Sequence, residues 1–199
     1  MKKILAMLLA LVMVLSLAAC ASTQPAAEPA ASSDAPAESG KTYTVGVCQL
    51  VQHEALDAAT QGFVDALKEA LGDAVTIDVQ NASGDSVNCG TIVNGFVSKG
   101  VDLIMANATP ALTAAVSATA DIPILGTSIT AYGVALDIDD FSGTVGGNVS
   151  GTSDLADLQK QAQMILDWFP ETKTVGLLFC SAEPNSRYQI DEVRKALEA

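Results

Sequence analysis

From Lys41 onward, short apolar runs alternate with longer amphipathic stretches, and this alternation limits the folds that are open to the chain. Apolar residues at every second position, or in an unbroken run, are typical of strands, whereas spacings of three and four predict helices. The resulting order is strand and helix in alternation. Such an order predicts a parallel sheet with helices on both faces and right-handed crossovers. We therefore expect an α/β fold built on a doubly wound parallel sheet.

The elements of this first unit are placed by their apolar spacing and by the residues at their ends. Strands are predicted at 42–49, 75–79, 101–106 and 122–126, and a helix at 55–71. A second helix is expected to be capped by Asp85 or Ser86 and to end at Gly100. A third is expected to have Thr109 as its cap and Pro110 in its first turn.

Residues 131–149 are predicted to connect the first unit to a second one, because they contain four glycines and no helical pattern. The next segment is expected to form a helix capped by Ser153 or Asp154, with Trp168 packed on its apolar face. An apolar run at 175–179 then predicts a strand.

A last helix is expected near the C-terminus, where Ser186 and Gln189 fit a capping box. The second unit would then hold one strand and two helices, which are too few to bury a core of their own. We therefore expect an N-terminal lobe with its connection at 41–150, an incomplete second lobe at 151–199, and a chain that is a fragment of a longer protein.

The first 40 residues differ in composition from the rest. Two lysines precede an apolar run at 4–19, which is shorter than the roughly 20 residues needed to cross a bilayer. This pattern predicts a removable secretory signal at 1–19. The Leu-Ala-Ala-Cys ending resembles a bacterial lipobox, which implies a lipid on Cys20; an ordinary signal peptide or a short membrane anchor are the alternatives. Residues 20–40 have the composition of a flexible linker.

Charge and cysteine content exclude several classes of partner. The 23 acidic and 10 basic residues give a net charge of −13, which becomes −15 without the two lysines of the signal. Nucleic acid is therefore not expected as a partner. Cys48, Cys89 and Cys180 are too widely spaced for a CxxC pair or a zinc site. Export permits a disulfide, but three thiols leave one unpaired, and we favour buried free thiols.

No motif for catalysis or for cofactor binding is present. The sequence lacks a GxSxG elbow, a phosphate-binding loop, a GxGxxG turn after the first strand and an HExxH helix. The single histidine, His53, is predicted to make a ligand contact or a structural hydrogen bond rather than to act in catalysis. The acidic cluster at Asp137, Asp139 and Asp140 lacks the spacing of a calcium loop. We expect no catalytic residue, cofactor or metal site.

Polar residues follow each predicted strand, at the edge where doubly wound sheets bind ligands. At this edge, the Thr109 hydroxyl and the free N–H groups of its helix are suited to a carboxylate, although a plain helix cap is the alternative. Neutral hydrogen bonds are expected from Gln49, Thr127, Ser128 and Thr130.

Several short motifs, in order, carry a resemblance to a known family. They are Gln49, the stretch His53-Glu54-Ala55-Leu56-Asp57-Ala58, Gly62-Phe63, Ala108-Thr109-Pro110-Ala111, the run 147–154, and Glu183 with Asn185-Ser186. From about residue 42 to the end, the chain resembles the solute-binding lipoproteins of ABC transporters linked to tryptophan and tyrosine uptake. The sequence departs from the family's pattern at two places. It has Glu54 where the family often has proline, and it lacks Asp-Pro-Val after Tyr132.

The resemblance implies a type I periplasmic-binding-protein-like clamshell of two lobes that closes on a small solute. It implies an amino acid, with aromatic ones favoured, held by His53 and the residues named above. Glu183, Asn185 and Ser186 would approach from the second lobe, with Glu183 facing an ammonium group, and Tyr132 is the better candidate for aromatic stacking. The implied partners are ABC permease subunits and, through lipid on the exported chain, the outer face of the cytoplasmic membrane. A sensory receptor and an extracytoplasmic α/β enzyme are the alternatives.

Overall fold

The computed structural model describes residues 40–199, so the predicted signal, Cys20 and the linker up to residue 39 lie outside it. Five strands and six helices follow one another in these residues. The strands are β1 (Tyr43–Gln49), β2 (Val75–Asn81), β3 (Leu103–Asn107), β4 (Ile124–Ile129) and β5 (Val149–Ser153). The helices are α1 (Glu54–Leu71), α2 (Ser86–Lys99), α3 (Thr109–Ala118), α4 (Tyr132–Ala135), α5 (Leu158–Trp168) and α6 (Pro184–Glu198).

The five strands form one sheet in the order β2-β1-β3-β4-β5, and every neighbouring pair is parallel. The predicted α/β fold with a parallel sheet is confirmed. From β1 the chain moves outward to β2 and then returns to the other side of β1 as β3. The carboxyl ends of β1 and β3 therefore flank the topological switch point of the sheet.

Helix α2 lies close to the sheet because β1 has no side chain at Gly46. Cys89, Val93 and Phe96 share one face of α2, and all three are fully buried. A Cβ atom on Gly46 would lie 2.5 Å from the Phe96 ring. Glycine at this position thus allows the aromatic ring to pack directly on the strand backbone.

The structure confirms two of the predicted ends of helices and corrects a third. Asp85 caps α2 by accepting a hydrogen bond from the Val87 N–H at 2.8 Å, and Gly100 ends it with φ of 66°. Thr109, however, is not a cap: the cap of α3 is Ala108, whose φ of 90° is not helical, and Thr109 is already the first helical residue. The turn after β3 is one residue tighter than expected.

Strand β5 and the short helix α4 were not predicted in the glycine-rich connection. Ser153 belongs to β5, so neither it nor Asp154 caps α5; Asp157 does, accepting from the Lys160 N–H at 3.0 Å. The connection forms a strand because the edge of β4 supplies main-chain partners for it. The predicted lobe boundary at 150/151 falls inside this strand.

The segment 175–179 is not a strand, because no strand among the described residues pairs with it. Ser186 is not a cap either: α6 begins at Pro184 after Glu183, and Ser186 Oγ accepts from the Cys180 N–H at 2.9 Å. The expectation of a packed Trp168 is also wrong, since its side chain is 74% exposed. Within residues 40–199, no helix combines the length and the apolar character that crossing a membrane requires.

Candidate functional site

Three strands end in a polar residue, and these residues lie side by side across the sheet in a row that Thr127 of β4 continues. In the strand register, Gln49 pairs with Asn81 on one side and with Asn107 on the other, and Asn107 pairs with Thr127. The row crosses the switch point between β1 and β3, where folds of this class bind ligands. The predicted convergence of polar residues at the carboxyl edge is therefore confirmed.

A chain of hydrogen bonds joins this row to helix α1. Asn107 Nδ2 donates to Thr60 Oγ1 at 2.9 Å and to a main-chain carbonyl of α1 at 2.8 Å. The Thr60 hydroxyl donates to Gln49 Oε1 at 2.6 Å. Gln49 Nε2 donates to Asp57 Oδ1 at 2.5 Å and to a main-chain carbonyl at 2.9 Å. Both amide hydrogens of the buried Gln49 are thus engaged, and they hold the loop after β1 in place.

Two polar atoms at the end of β3 are buried without a hydrogen-bond partner, Asn107 Oδ1 and Thr109 Oγ1. A buried polar atom without a partner costs about 1–3 kcal/mol. Between them, Ala108 has φ of 90° and ψ of 156°, a conformation that favours glycine. Ser128, at the same edge, has φ of 56°. Unpaired polar atoms and strained backbone therefore coincide at one place, which marks it as a candidate binding site.

Helix α3 begins at this same point and adds an electrostatic preference. Its first main-chain N–H groups have no carbonyl partner within the helix, and the helix dipole places partial positive charge there. Pro110 has no N–H, so the donors at this end are the N–H groups of Thr109 and Ala111 and the Thr109 hydroxyl. This arrangement favours an anionic group such as a carboxylate.

Helix α6 approaches the edge from the C-terminal part of the chain. Gln189 Nε2 donates a long hydrogen bond of 3.4 Å to Thr130 Oγ1. Asn185 lies one turn earlier on the same helix face, and its Oδ1 is buried without a partner. Glu183 is the N-cap of α6, and its carboxylate makes no capping hydrogen bond. The structure thus brings the predicted second-lobe segment to Thr130, while Ser186 is engaged with the main chain.

Two of the sequence-predicted side chains have structural roles. His53 caps α1, because its Nδ1 accepts from the Ala55 N–H at 3.2 Å. Tyr132 is buried, and its hydroxyl donates to the Gly126 carbonyl oxygen at 3.0 Å. Burial raises the pKa of Tyr132 to about 12. The hydroxyl of Tyr132 therefore has a structural partner, and stacking of its ring on a ligand stays a prediction.

Two cavities lie next to the polar row. One of about 690 Å³ is at the β1–β2 side and is lined by residues that include Gln49, Asp57 and Asn81. One of about 310 Å³ lies between α1 and β4–β5, with Thr127 in its wall. Thr109 lines neither. We nevertheless place the candidate site at Thr109, because the central polar side chains of the larger cavity already bond to one another or to main chain; they are those of Gln49, Asp57, Thr60 and Asn81.

Four residues of the edge were absent from the sequence-based set: Asp57, Thr60, Asn107 and Gln189. Asn107 had a recognisable signal, since it is the polar end of an otherwise apolar strand. Thr60 had none, because it looks like an ordinary helix residue in sequence, and Gln189 was singled out only as a member of a predicted capping box. Among residues 40–199, no three His, Cys, Asp or Glu side chains are placed to hold a metal ion.

Comparison with known proteins places this geometry in a family. The family described as ABC transporter substrate binding protein matches residues 44–199. A tyrosine-binding protein of Clostridioides difficile (strain R20291) is 36% identical over an alignment of 199 residues. The alignment covers 96% of this chain and 56% of that protein.

Solved structures agree with this assignment. An ABC domain from Streptococcus pneumoniae in complex with L-Trp superposes with a TM-score of 0.73 at 36% identity, covering 79% of this chain and 54% of that one. A conserved domain protein from Vibrio cholerae gives 0.72 at 31% identity with the same coverage. The predicted periplasmic-binding-protein-like fold is thus confirmed, and the chain spans about half the length of the relatives it matches. The chain belongs to the ABC transporter substrate-binding protein family.

Proposed function

We propose that this protein captures an aromatic amino acid between two lobes and delivers it, unchanged, to the permease of an ABC importer. The observation that carries the proposal is the pair of unpaired buried atoms, Asn107 Oδ1 and Thr109 Oγ1, at the start of α3. The names of two similar proteins support the choice of solute, since one is a tyrosine-binding protein and the other was solved with L-Trp.

The α-carboxylate of the solute is proposed to bind at the start of α3. Here the Thr109 hydroxyl gains the hydrogen-bond acceptor that it lacks, and the helix dipole stabilises the negative charge. Binding thus relieves a cost that the free protein carries, and this difference contributes to affinity. Thr127, Ser128 and Thr130, on and after β4, are proposed to add neutral hydrogen bonds.

The ammonium group is proposed to bind at the start of α6. Glu183 is half-buried, and its carboxylate is not used as a helix cap. Asn185 Oδ1 is a further acceptor without a partner. A carboxylate and an amide oxygen together suit a cationic donor. The two charged ends of an amino acid would then bind to different lobes, so that the solute itself bridges the interface on closure.

We further propose a division into two lobes, with the predicted boundary moved from 150/151 to the end of β5 at Ser153, because β5 pairs with β4 in the first sheet. The contact between Gln189 and Thr130 supports closure at the switch-point edge.

Attachment through lipid on Cys20 is proposed from the lipobox resemblance. Replacement of Cys20 by serine is expected to abolish incorporation of a radiolabelled fatty acid and to release the protein from the membrane fraction.

The binding experiment is calorimetric titration of the full-length protein with L-Trp, L-Tyr and L-Phe. Replacement of Thr109 by valine is expected to weaken binding about 10- to 150-fold, because a hydrogen bond to a charged group contributes about 1.5–3 kcal/mol. The same variant is expected to be at least as stable as the wild type without ligand, because it removes an unpaired buried hydroxyl. Thr113→Val is the matched control, since Thr113 Oγ1 is on the same helix and already donates to Pro110 O.

Ligand analogues separate the two charged ends of the solute. Glu183→Gln is expected to weaken binding of L-Trp but not of indole-3-propionate, which has no ammonium group. Thr109→Val is expected to weaken both, because both carry a carboxylate. Equal binding of L-Trp by wild type and Thr109→Val would disprove the site, and indifference of the wild type to every amino acid would disprove the solute class.

A further inference from the structure

Two cysteines meet in the core, away from the proposed solute site. Cys48 lies on β1 and Cys89 in the second turn of α2, and both are fully buried. Both belong to the same buried cluster of the core, and each thiol shifts the pKa of the other. The third cysteine of the described chain, Cys180, is exposed. The molecule therefore contains a buried thiol pair and an exposed single thiol that can be compared within one experiment.

The contact follows from the register of α2 on β1. Gly46 and Cys48 point to the same face of the sheet because side chains alternate along a strand. Phe96 packs on Gly46, and Cys89 lies two turns earlier on the same face of α2. Because α2 runs antiparallel to β1 in this crossover, moving from Phe96 to Cys89 leads from Gly46 toward Cys48. The packing of an aromatic ring on a glycine thus sets a register in which Cys89 lies toward the Cys48 end of β1.

We propose that Cys48 and Cys89 form a disulfide bond in the mature protein, with Cys180 left unpaired. The chemical class of the oxidant is a disulfide, either a small molecule such as oxidised glutathione or the disulfide of an oxidoreductase. Substrate-binding proteins of ABC transporters are extracytoplasmic, and disulfides persist in oxidising compartments of that kind.

The bond forms by two exchange steps. With Cys89 as the attacking residue, the first step begins when its thiol loses its proton. Its thiolate attacks the oxidant disulfide, breaks that S–S bond and releases one thiol. The Cys48 thiol then loses its proton and attacks the Cys89 sulfur of the mixed disulfide, which releases the second thiol. In sum, two protein thiols are oxidised by two electrons and one oxidant disulfide is reduced to two thiols.

Burial determines when this exchange takes place. An oxidant cannot reach two fully buried sulfur atoms in the folded state, so the bond forms during folding, before α2 closes on the sheet. Once formed, the bond is protected from reductants by the same packing. It closes a loop with 40 intervening residues. A disulfide that closes a loop of that length is expected to raise the melting temperature by roughly 5–15 °C.

The test is to refold the full-length protein in a buffer of oxidised and reduced glutathione, to block free thiols with N-ethylmaleimide and to map tryptic peptides. Trypsin places Cys48, Cys89 and Cys180 in separate peptides, 42–68, 69–99 and 174–187. We expect peptides 42–68 and 69–99 to be joined, and 174–187 to be unlinked to either. We also expect a reductant present throughout refolding to lower the melting temperature by the stated amount.

Matched variants separate this bond from general effects of cysteine loss. Cys180→Ser is expected to keep both the joined peptides and the reductant-sensitive melting temperature. Cys48→Ala and Cys89→Ala are each expected to lose the sensitivity. The comparison of wild-type protein with and without reductant needs no variant. It therefore tests the proposal even if Cys48→Ala and Cys89→Ala fail to fold. Full alkylation of both peptides after oxidative refolding, or a link from peptide 174–187 to either one, would overturn the proposal.

Discussion

Two parts of the described chain behave differently although their sequences look alike. The sheet region, residues 43–153, contains all but two of the buried apolar residues, and its helices are packed against five strands. The C-terminal region, residues 158–199, contributes only Leu158 and Ala162 to that set. Its helices pack mainly on each other, and large apolar side chains remain exposed. Amphipathic pattern alone therefore does not produce burial; partner elements must be present.

The contrast is sharpest between segment 175–179 and strand β5. The first is rich in strand-forming residues, yet it forms no strand, and Leu178 is 97% exposed. The second is rich in Ser, Gly and Thr, yet it is a strand because β4 has a free edge beside it. An available neighbour thus outweighs intrinsic strand propensity in both cases.

The largest expected difference between the two regions comes from aromatic truncation. Phe96→Ala in the sheet region is expected to lower the free energy of unfolding by about 3–5 kcal/mol, because it empties a fully buried site. Trp168→Ala in the C-terminal region is expected to change it by less than about 0.5 kcal/mol, because most of that side chain is exposed. Urea unfolding followed by circular dichroism measures both, and equal losses would contradict the comparison.

A smaller difference is expected from glycine substitution. Gly151 has φ of 152°, and a Cβ there would overlap Gly126 O and the Tyr132 hydroxyl. Gly151→Ala is therefore expected to cost about 2–3 kcal/mol, since both backbone strain and overpacking are introduced. A Cβ on Gly176 would meet open space, so Gly176→Ala is expected to be nearly neutral. The same unfolding assay applies; tolerance of alanine at Gly151 would show that β5 is not held against β4 as described.

These differences explain how much could be predicted from the sequence. The first four strands and the ends of α2 followed from local pattern, because each element finds its partners nearby in the alternating order. The polar edge was also predictable, because parallel strands end together. The roles of Gln49 and Tyr132 were not, since their hydrogen bonds join residues whose proximity depends on packing. The unpaired state of Asn107 and Thr109 likewise depends on three-dimensional surroundings that no spacing encodes.

Helix caps provide a third comparison, with a smaller effect. Asp85 caps α2, whose face is fully buried against the sheet, and Asp157 caps the more exposed α5. Asp85→Ala is expected to lower the free energy of unfolding by about 1 kcal/mol. Asp157→Ala is expected to leave the global value nearly unchanged and to speed hydrogen exchange within α5 alone, because a weakly packed helix opens locally. Slower or unchanged exchange in α5 would contradict this expectation.

The smallest effect concerns pH and two aspartates with lowered pKa. Hydrogen bonds from the Thr44 N–H and hydroxyl lower the pKa of Asp102 and tie β3 to the start of β1, whereas the lowered pKa of Asp157 arises mainly from Lys160 in its own helix. A lowered folded-state pKa means that the stabilisation is present above the ordinary value of 3.8 and is lost as the pH falls through the folded-state pKa. The melting temperature of Asp102→Asn is therefore expected to lie slightly below that of the wild type at pH 6, and the gap is expected to close below about pH 3.8. Asp157→Asn is expected to show little gap at any pH, because its interactions stay within one weakly packed helix. If the difference in melting temperature between Asp102→Asn and the wild type instead widens as the pH falls, the pH dependence has the opposite sign. Asp102 then does not stabilise the contact between β1 and β3 in this way.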